Sequence, residues 1–377
     1  MSVANSIILY ISVMLLSGIL LTISKIKKDN IYWRYGFLVL GLFPIFFIMA
    51  FRYDVGTDYF YGYIPGFKNI ALGATSFGKE PGFYLLNKLI QVFTLQSQWL
   101  IITTSFIYVL CLGMIIDEQS VNPFVSIFVL FASTIFFVSL NNIRQQIAVI
   151  FILWGFRFVI KHNFWAYFGL CAASAYFFHM SSIMMILVYP LVNSKILKKY
   201  YFIWMPLGFF AIPLLVKLYM KIMVLLGYGG YLESFIGTTG NFRLLYQNII
   251  VFVILFIGIG FKNIRDDDKN YGYFAMQYAA LTISIVTYFL KLIEINERVC
   301  FYFMVFQIVS LPIALNSMYK QNKYVLAVMI AVLLWLSFDS FYYSIYVNGY
   351  HEVLPYQFCF EHWDELLVKL PEKAVVL

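Results

Sequence analysis

The sequence predicts an all-α polytopic membrane protein, and three observations carry that expectation. Hydrophobic residues make up 62% of the 377 positions and charged ones only 12%, against about 25% charged in soluble domains. The apolar residues gather in runs close to transmembrane length, roughly 17 to 25 residues. Between these runs lie short loops whose basic residues are dense on alternate turns of the chain. The net charge of +8 forms no block or stripe of the kind that grips nucleic acid. Membrane orientation accounts for it better.

About twelve transmembrane helices follow, near 4–24, 35–51, 98–116, 124–140, 144–160, 164–178, 181–193, 201–218, 244–261, 273–290, 298–316 and 324–346, with 181–193 the shortest. They form a single integral-membrane domain, 1–377, with outer loops 52–97 and 217–243 and an outer C-terminal tail 348–377. The first run, Ile7 to Ile23, has no basic region before it and no small-residue cleavage site behind it. It reads as a retained helix, not a signal peptide. Phe83 to Leu95 is apolar but short, and its Asn87, Lys88 and Gln91 share one side at helical spacing, which predicts an interfacial helix.

Placing Lys25, Lys27, Lys28 and Arg34 in the cytoplasm puts five further loops on that side by alternation. They surround Asp117 and Glu118, Arg157 and Lys161, Lys195 to Lys199, Lys262 to Lys269, and Lys320 with Lys323. These six loops hold 14 of the 26 Lys and Arg residues, the bias expected of cytoplasmic loops. Both termini and the long segments then lie outside. ATP and nucleotide-sugars are not available there, and neither GxxxxGK[ST] nor GxGxxG occurs.

Four outer constellations carry chemistry. In Phe51 to Tyr61, Arg52, Asp54 and Asp58 flank a Gly56-Thr57 turn between apolar regions. A lipid-facing charge costs on the order of 2.5–3.5 kcal/mol, so the segment is either a solvated loop or the lining of a polar site. Paired carboxylates supply a general base or bind sugar hydroxyls; there is no DxD, and no metal is inferred. Asn141, Asn142, Arg144, Gln145 and Gln146 crowd the tip of an apolar hairpin, and Arg144 has the planar fork that suits phosphate oxygens. His179 stands at the next outer tip, followed by Ser181 and Ser182, and exchanges protons near neutral pH. Glu294, Glu297 and Arg298 lie at the mouth of a later helix, as an ion pair or an anion site. The stretch 227–243 is rich in Gly and Tyr, suited to stacking on sugar faces.

Other polar groups read as ordinary. Asp266, Asp267 and Asp268 fall in a cytoplasmic loop between Arg and Lys; the four cysteines show no metal spacing. His351, Glu352, Glu361 and His362 in the tail are read as surface residues.

With these residues in order, the chain resembles a known family. Arg52-Tyr53-Asp54-Val55-Gly56-Thr57-Asp58-Tyr59 with Tyr61, then Ile143-Arg144-Gln145-Gln146, then His179 with Ser181 and Ser182, Glu297-Arg298 and Pro355-Tyr356 are similar to the EpsG family, the Wzy-like polysaccharide polymerases. The resemblance runs from about Phe51 to Phe358. It implies a GT-C-like helical bundle in the bacterial inner membrane, with its active site facing outward, that joins undecaprenyl-pyrophosphate-linked oligosaccharides into O-antigen, capsule or exopolysaccharide. An acceptor hydroxyl attacks the anomeric carbon and undecaprenyl pyrophosphate leaves. The implied partners are that lipid-linked oligosaccharide, membrane lipid and a candidate chain-length regulator protein. No cofactor is implied.

That chemistry asks for cations on the departing pyrophosphate, for which Arg52, Arg144 and Arg298 are candidates with Arg243 behind them. It asks for a base, for which Asp58, His179 and Glu297 compete. Asp54, Tyr59, Asn142 and Gln145 are the candidate sugar contacts. A lipid-linked oligosaccharide flippase is the rival of a different class, but internal repeats are not detected. A membrane O-acetyltransferase calls for His-bearing motifs on the cytoplasmic side, where only His162 lies. A glycosyltransferase using a monosaccharyl-lipid donor is the nearest enzymatic rival.

Overall fold

The first two helices begin where the sequence supplies caps. Ser2 accepts from the Asn5 amide to open α1 (Val3–Ile26), and Asn30 accepts from Tyr32 and Trp33 to open α2 (Ile31–Ala50), satisfying donors that a helix start leaves unpaired. The computed structural model describes residues 1–76, 80–225, 242–290 and 293–369. After α2 come α3 (Ile64–Ala71), α4 (Pro81–Phe93), α5 (Gln98–Gln119), α6 (Pro123–Ala132), α7 (Ile135–Asn141), α8 (Ile143–Ile160) and α9 (Phe164–Phe177). A 3₁₀ stretch, Met180–Leu187, leads to α10 (Val188–Asn193), α11 (Lys195–Lys199) and α12 (Tyr201–Leu225). The chain continues with α13 (Phe242–Ile259), α14 (Phe261–Asp266), α15 (Asp268–Leu290), α16 (Ile293–Met304), α17 (Gln307–Gln321) and α18 (Lys323–Asp339), the last prolonged to Val347. No strand forms among the described residues, only two isolated bridges.

This is an all-α polytopic membrane protein. Six helices are long and apolar enough to cross a membrane, α1, α2, α5, α8, α13 and Lys323–Val347, and up to eight if two bent pairs each count as one span. Every one of the twelve expected segments is helical, but Phe164–Phe177 and Met180–Asn193 are short for a span, and α12 and α15 are not among the candidates. One bent pair, α6 and α7, turns by 60° at Thr134, whose φ of +62° lies in the left-handed region. A β-branched residue seldom adopts that conformation.

The chain divides into two units, residues 1–154, 169–183 and 334–377 in the first and 155–168 with 184–333 in the second. The first has two chemically distinct ends. At one, Arg34 pairs with Asp117 at 2.5 Å and Lys25 Nζ donates to the Asp117 carbonyl. At the other, the Met1 amine donates to the Tyr356 carbonyl, the Tyr356 amide to Ser6 Oγ, and Tyr10 Oη to the Val353 carbonyl. There Arg52 also bridges Phe358, with Tyr53 N on Gln357 O and Cys359 N on Phe51 O. The expected interfacial helix α4 is turned the other way from a water-facing one. Asn87 is fully buried, Lys88 Nζ and Gln91 Nε2 donate to the Ile70 and Phe67 carbonyls, and Leu85, Leu89, Val92 and Phe93 are the exposed side.

In the second unit, neutral amides join α13, α15 and α17. Gln307 Nε2 donates to Gln277 Oε1 at 3.0 Å, Gln277 Nε2 to Asn248 Oδ1 at 3.0 Å, and Asn248 Nδ2 to Ser284 Oγ at 2.8 Å. Such bonds between helices serve as glue in an apolar medium.

Candidate active site at the hairpin tips of the first unit

Pro81 starts α4 with a ring that needs no backbone donor, and the residue just ahead of it is Glu80. Its carboxylate is 5% exposed and gathers two of the expected site residues. Arg144 Nη1 donates to Oε2 at 2.5 Å, and His179 Nδ1 lies 3.3 Å from Oε1. The Met180 amide approaches Oε1 at 3.5 Å. Phe83, one turn into α4, carries the Arg144 guanidinium over its ring at 5.7 Å. Arg144 and His179 each keep about a quarter of their side chains exposed. The three arrive from α4, the start of α8 and the end of α9, so the hairpin tips converge as charged groups at a helical bundle's end must.

Burial pushes the Glu80 carboxyl up, but the hydrogen bond from His179, the charge of Arg144 and the Met180 amide outweigh it and hold it below the usual carboxylate range. Glu80 is therefore an anion at neutral pH. His179 Nδ1 faces this anion as an ion-pair partner, which leaves Nε2 as the other ring nitrogen available to a ligand. Glu80 was missed by sequence reasoning. The signal was a carboxylate directly ahead of a Pro-started helix in the long segment 52–97.

A second polar patch adjoins the same hairpin tip. Asn141 Oδ1 accepts from Thr57 Oγ1 at 2.9 Å and from the Asp58 amide at 2.7 Å, and Asn141 Nδ2 lies 2.7 Å from His351 Nδ1 and 3.3 Å from Asn142 Oδ1. Gly56 makes this approach; at φ +98°, a Cβ would sit 2.7 Å from the Leu140 carbonyl oxygen. The tail's turn docks on it through Thr57 N to His351 O and Gly56 N to Glu352 O. His351 is thus not the plain surface residue expected. His362 likewise stacks on Tyr53 at 3.9 Å, and Glu365 accepts from Tyr53 Oη at 2.6 Å and pairs with His362; burial first, and then the bond to Glu365, push the phenol up to about 12.

Two expectations are corrected here. Arg52 is 1% exposed, and its guanidinium donates to the Met49, Val55 and Leu140 carbonyls. It clamps backbone and presents no face to an outward hollow. Tyr59 is equally buried, its hydroxyl donating to Gln98 Oε1 at 2.6 Å while Gln98 Nε2 donates to the Ala50 and Arg52 carbonyls, so it is part of that clamp and not a sugar platform. Asp54 is exposed and Asp58 half-buried; Asn142, Gln145 and Gln146 are buried. Both amide atoms of Gln146 are without a partner among the described residues. Arg243, Glu297 and Arg298 belong to the second unit and are half-buried at α13 and α16. The Gly- and Tyr-rich stretch 227–241 and the Glu294 side chain lie outside the described residues.

The EpsG family model matches residues 35–358. The chain belongs to the EpsG family. No curated protein and no solved structure matches it. The match covers both corrected motifs and the Glu80 cluster, and the family points to a membrane protein of polysaccharide biosynthesis with a polymerase-like function.

Proposed function

We propose that the protein polymerises oligosaccharide repeat units carried on undecaprenyl pyrophosphate, at the outer face of the bacterial inner membrane. The observation that carries this reading is one buried carboxylate, Glu80, holding both a guanidinium and an imidazole that each stay about a quarter exposed. His179 Nε2 takes the proton of the acceptor hydroxyl as its oxygen bonds to the anomeric carbon. The bond from that carbon to the pyrophosphate oxygen breaks, and the electron pair leaves with undecaprenyl pyrophosphate. Arg144 meets the charge that builds there, and Glu80 steadies the imidazolium that forms. Asp54 and Asp58 sit beside the same tip as acceptors for sugar hydroxyls. The roles of Arg243, Glu297 and Arg298 rest on the sequence resemblance alone.

The test is a gel of surface polysaccharide from a deletion strain complemented with wild-type or Arg144→Ala protein. Loss of one such cation costs about 10²- to 10³-fold in rate, so the variant inserts normally but leaves single repeats. Normal chain lengths overturn the role of Arg144. In the deletion strain, absence of any exported repeat identifies a flippase instead, and an altered repeat identifies a transferase.

A further inference from the structure

The second unit contains a cavity that the polymerisation chemistry does not use. It has a volume of about 350 Å³ and is lined by His162, Asn193, Lys195, Lys198, Lys199, Arg265 and Asp268. The lining comes from three turns between helices, those after α8, between α10 and α12, and between α13 and α15. Four cations face one lining carboxylate. Asp268 is occupied by Lys198 at 2.5 Å and by His162 at 3.6 Å, and Arg265 Nε bonds Asp266 at 3.0 Å. Among the described residues, no carboxylate pairs with Lys195 or Lys199. The cavity therefore has a surplus of positive charge and hydrogen-bond donors, the combination that takes a phosphate.

Apolar side chains on these turns and in the first turns of the helices that follow them bear on which phosphate. Trp165, Ile196, Tyr200 and Phe202 are all exposed, Ile196 to 72%. Trp and Tyr mark the membrane–water boundary, and an exposed Ile between lysines is at home against acyl chains. We propose that this cavity binds the phosphodiester headgroup of an anionic phospholipid, with Lys195, Lys199 and Arg265 as the principal contacts.

The experiment uses the full-length protein in nanodiscs, with phosphatidylglycerol retention read by native mass spectrometry against phosphatidylcholine. Wild-type protein retains phosphatidylglycerol preferentially, and raising the salt from 0.1 to 1 M releases it as screening shortens from about 10 to 3 Å. The triple variant Lys195→Gln, Lys199→Gln, Arg265→Gln retains it on the order of a hundredfold less. Should the triple variant fold poorly, the single Lys199→Glu variant gives the same direction of change, and the salt titration needs no variant. Equal retention of the two lipids by the wild type, or unchanged retention in the variants, overturns the proposal. So does displacement of phosphatidylglycerol by millimolar inorganic phosphate, which identifies a free-phosphate site.

Discussion

The Glu80 cluster of the first unit and the amide network of the second both gather polar side chains from several helices, but they are finished differently. Asn248, Gln277 and Gln307 are at most 3% exposed and bond one another and Ser284. Around Glu80 the carboxylate is buried, while Arg144 and His179 stay a quarter open. A closed neutral network spends its hydrogen-bonding capacity on holding helices together. A charged cluster with exposed arms costs desolvation and keeps capacity for a ligand. The same contrast separates two arginines, since Arg52 is spent on three carbonyls and Arg144 is not sealed off.

Replacing Arg52 by Met gives the largest structural effect. It strips three buried carbonyls of their charged donor, and loss of one partner in such a buried arrangement costs about 3–5 kcal/mol. The variant is expected to purify as aggregate by size exclusion; a monodisperse protein with normal thermal stability breaks the assignment as a clamp. Gln277→Leu is milder, about 0.6 kcal/mol for each interhelical hydrogen bond lost, read by thermal melting, and it leaves polymer length unchanged. A shortened polymer without lost stability makes the amide network part of the site and erases the contrast.

The smallest effect is one of pH. The folded-state value of Glu80 is depressed, so its stabilisation is complete above the ordinary carboxylate range and is lost as pH falls through the folded value. The difference in melting temperature between wild type and Glu80→Gln is expected to hold from pH 8 to about pH 5 and to close below about pH 4. A gap that grows on acidification has the wrong sign for this pairing.

What was legible in the sequence follows the same division. Hydropathy marks apolar helices directly, and each of the twelve expected segments is helical. The break at Thr134 left no mark, because Ser133 and Thr134 are two small residues inside the otherwise apolar run 124–140 and Thr is not a residue that announces positive φ. Arg144 and His179 stood out because polar groups at apolar hairpin tips are conspicuous. Glu80 did not, since a lone carboxylate in a long outer segment has no periodic context, and its meaning arises only when α8 and α9 bring their ends to it. Arg52 was conspicuous for the same reason as Arg144, and sequence could not tell a cation buried against carbonyls from one held open. The tail residues His351 and His362 were passed over because their partners, Asn141 and Tyr53, lie more than two hundred positions away in the chain.

The most direct measurement is the polymerisation rate of purified Glu80→Gln protein in nanodiscs supplied with lipid-linked repeat units, compared with His179→Ala. Glutamine keeps the shape of Glu80 but removes the charge that orients the imidazole and offsets its proton. Both variants are expected to melt as cooperatively as wild type and to polymerise at least about 10²-fold more slowly. Wild-type rates in both variants would contradict the account, because the Glu80 cluster would then be packing, as the amide network is.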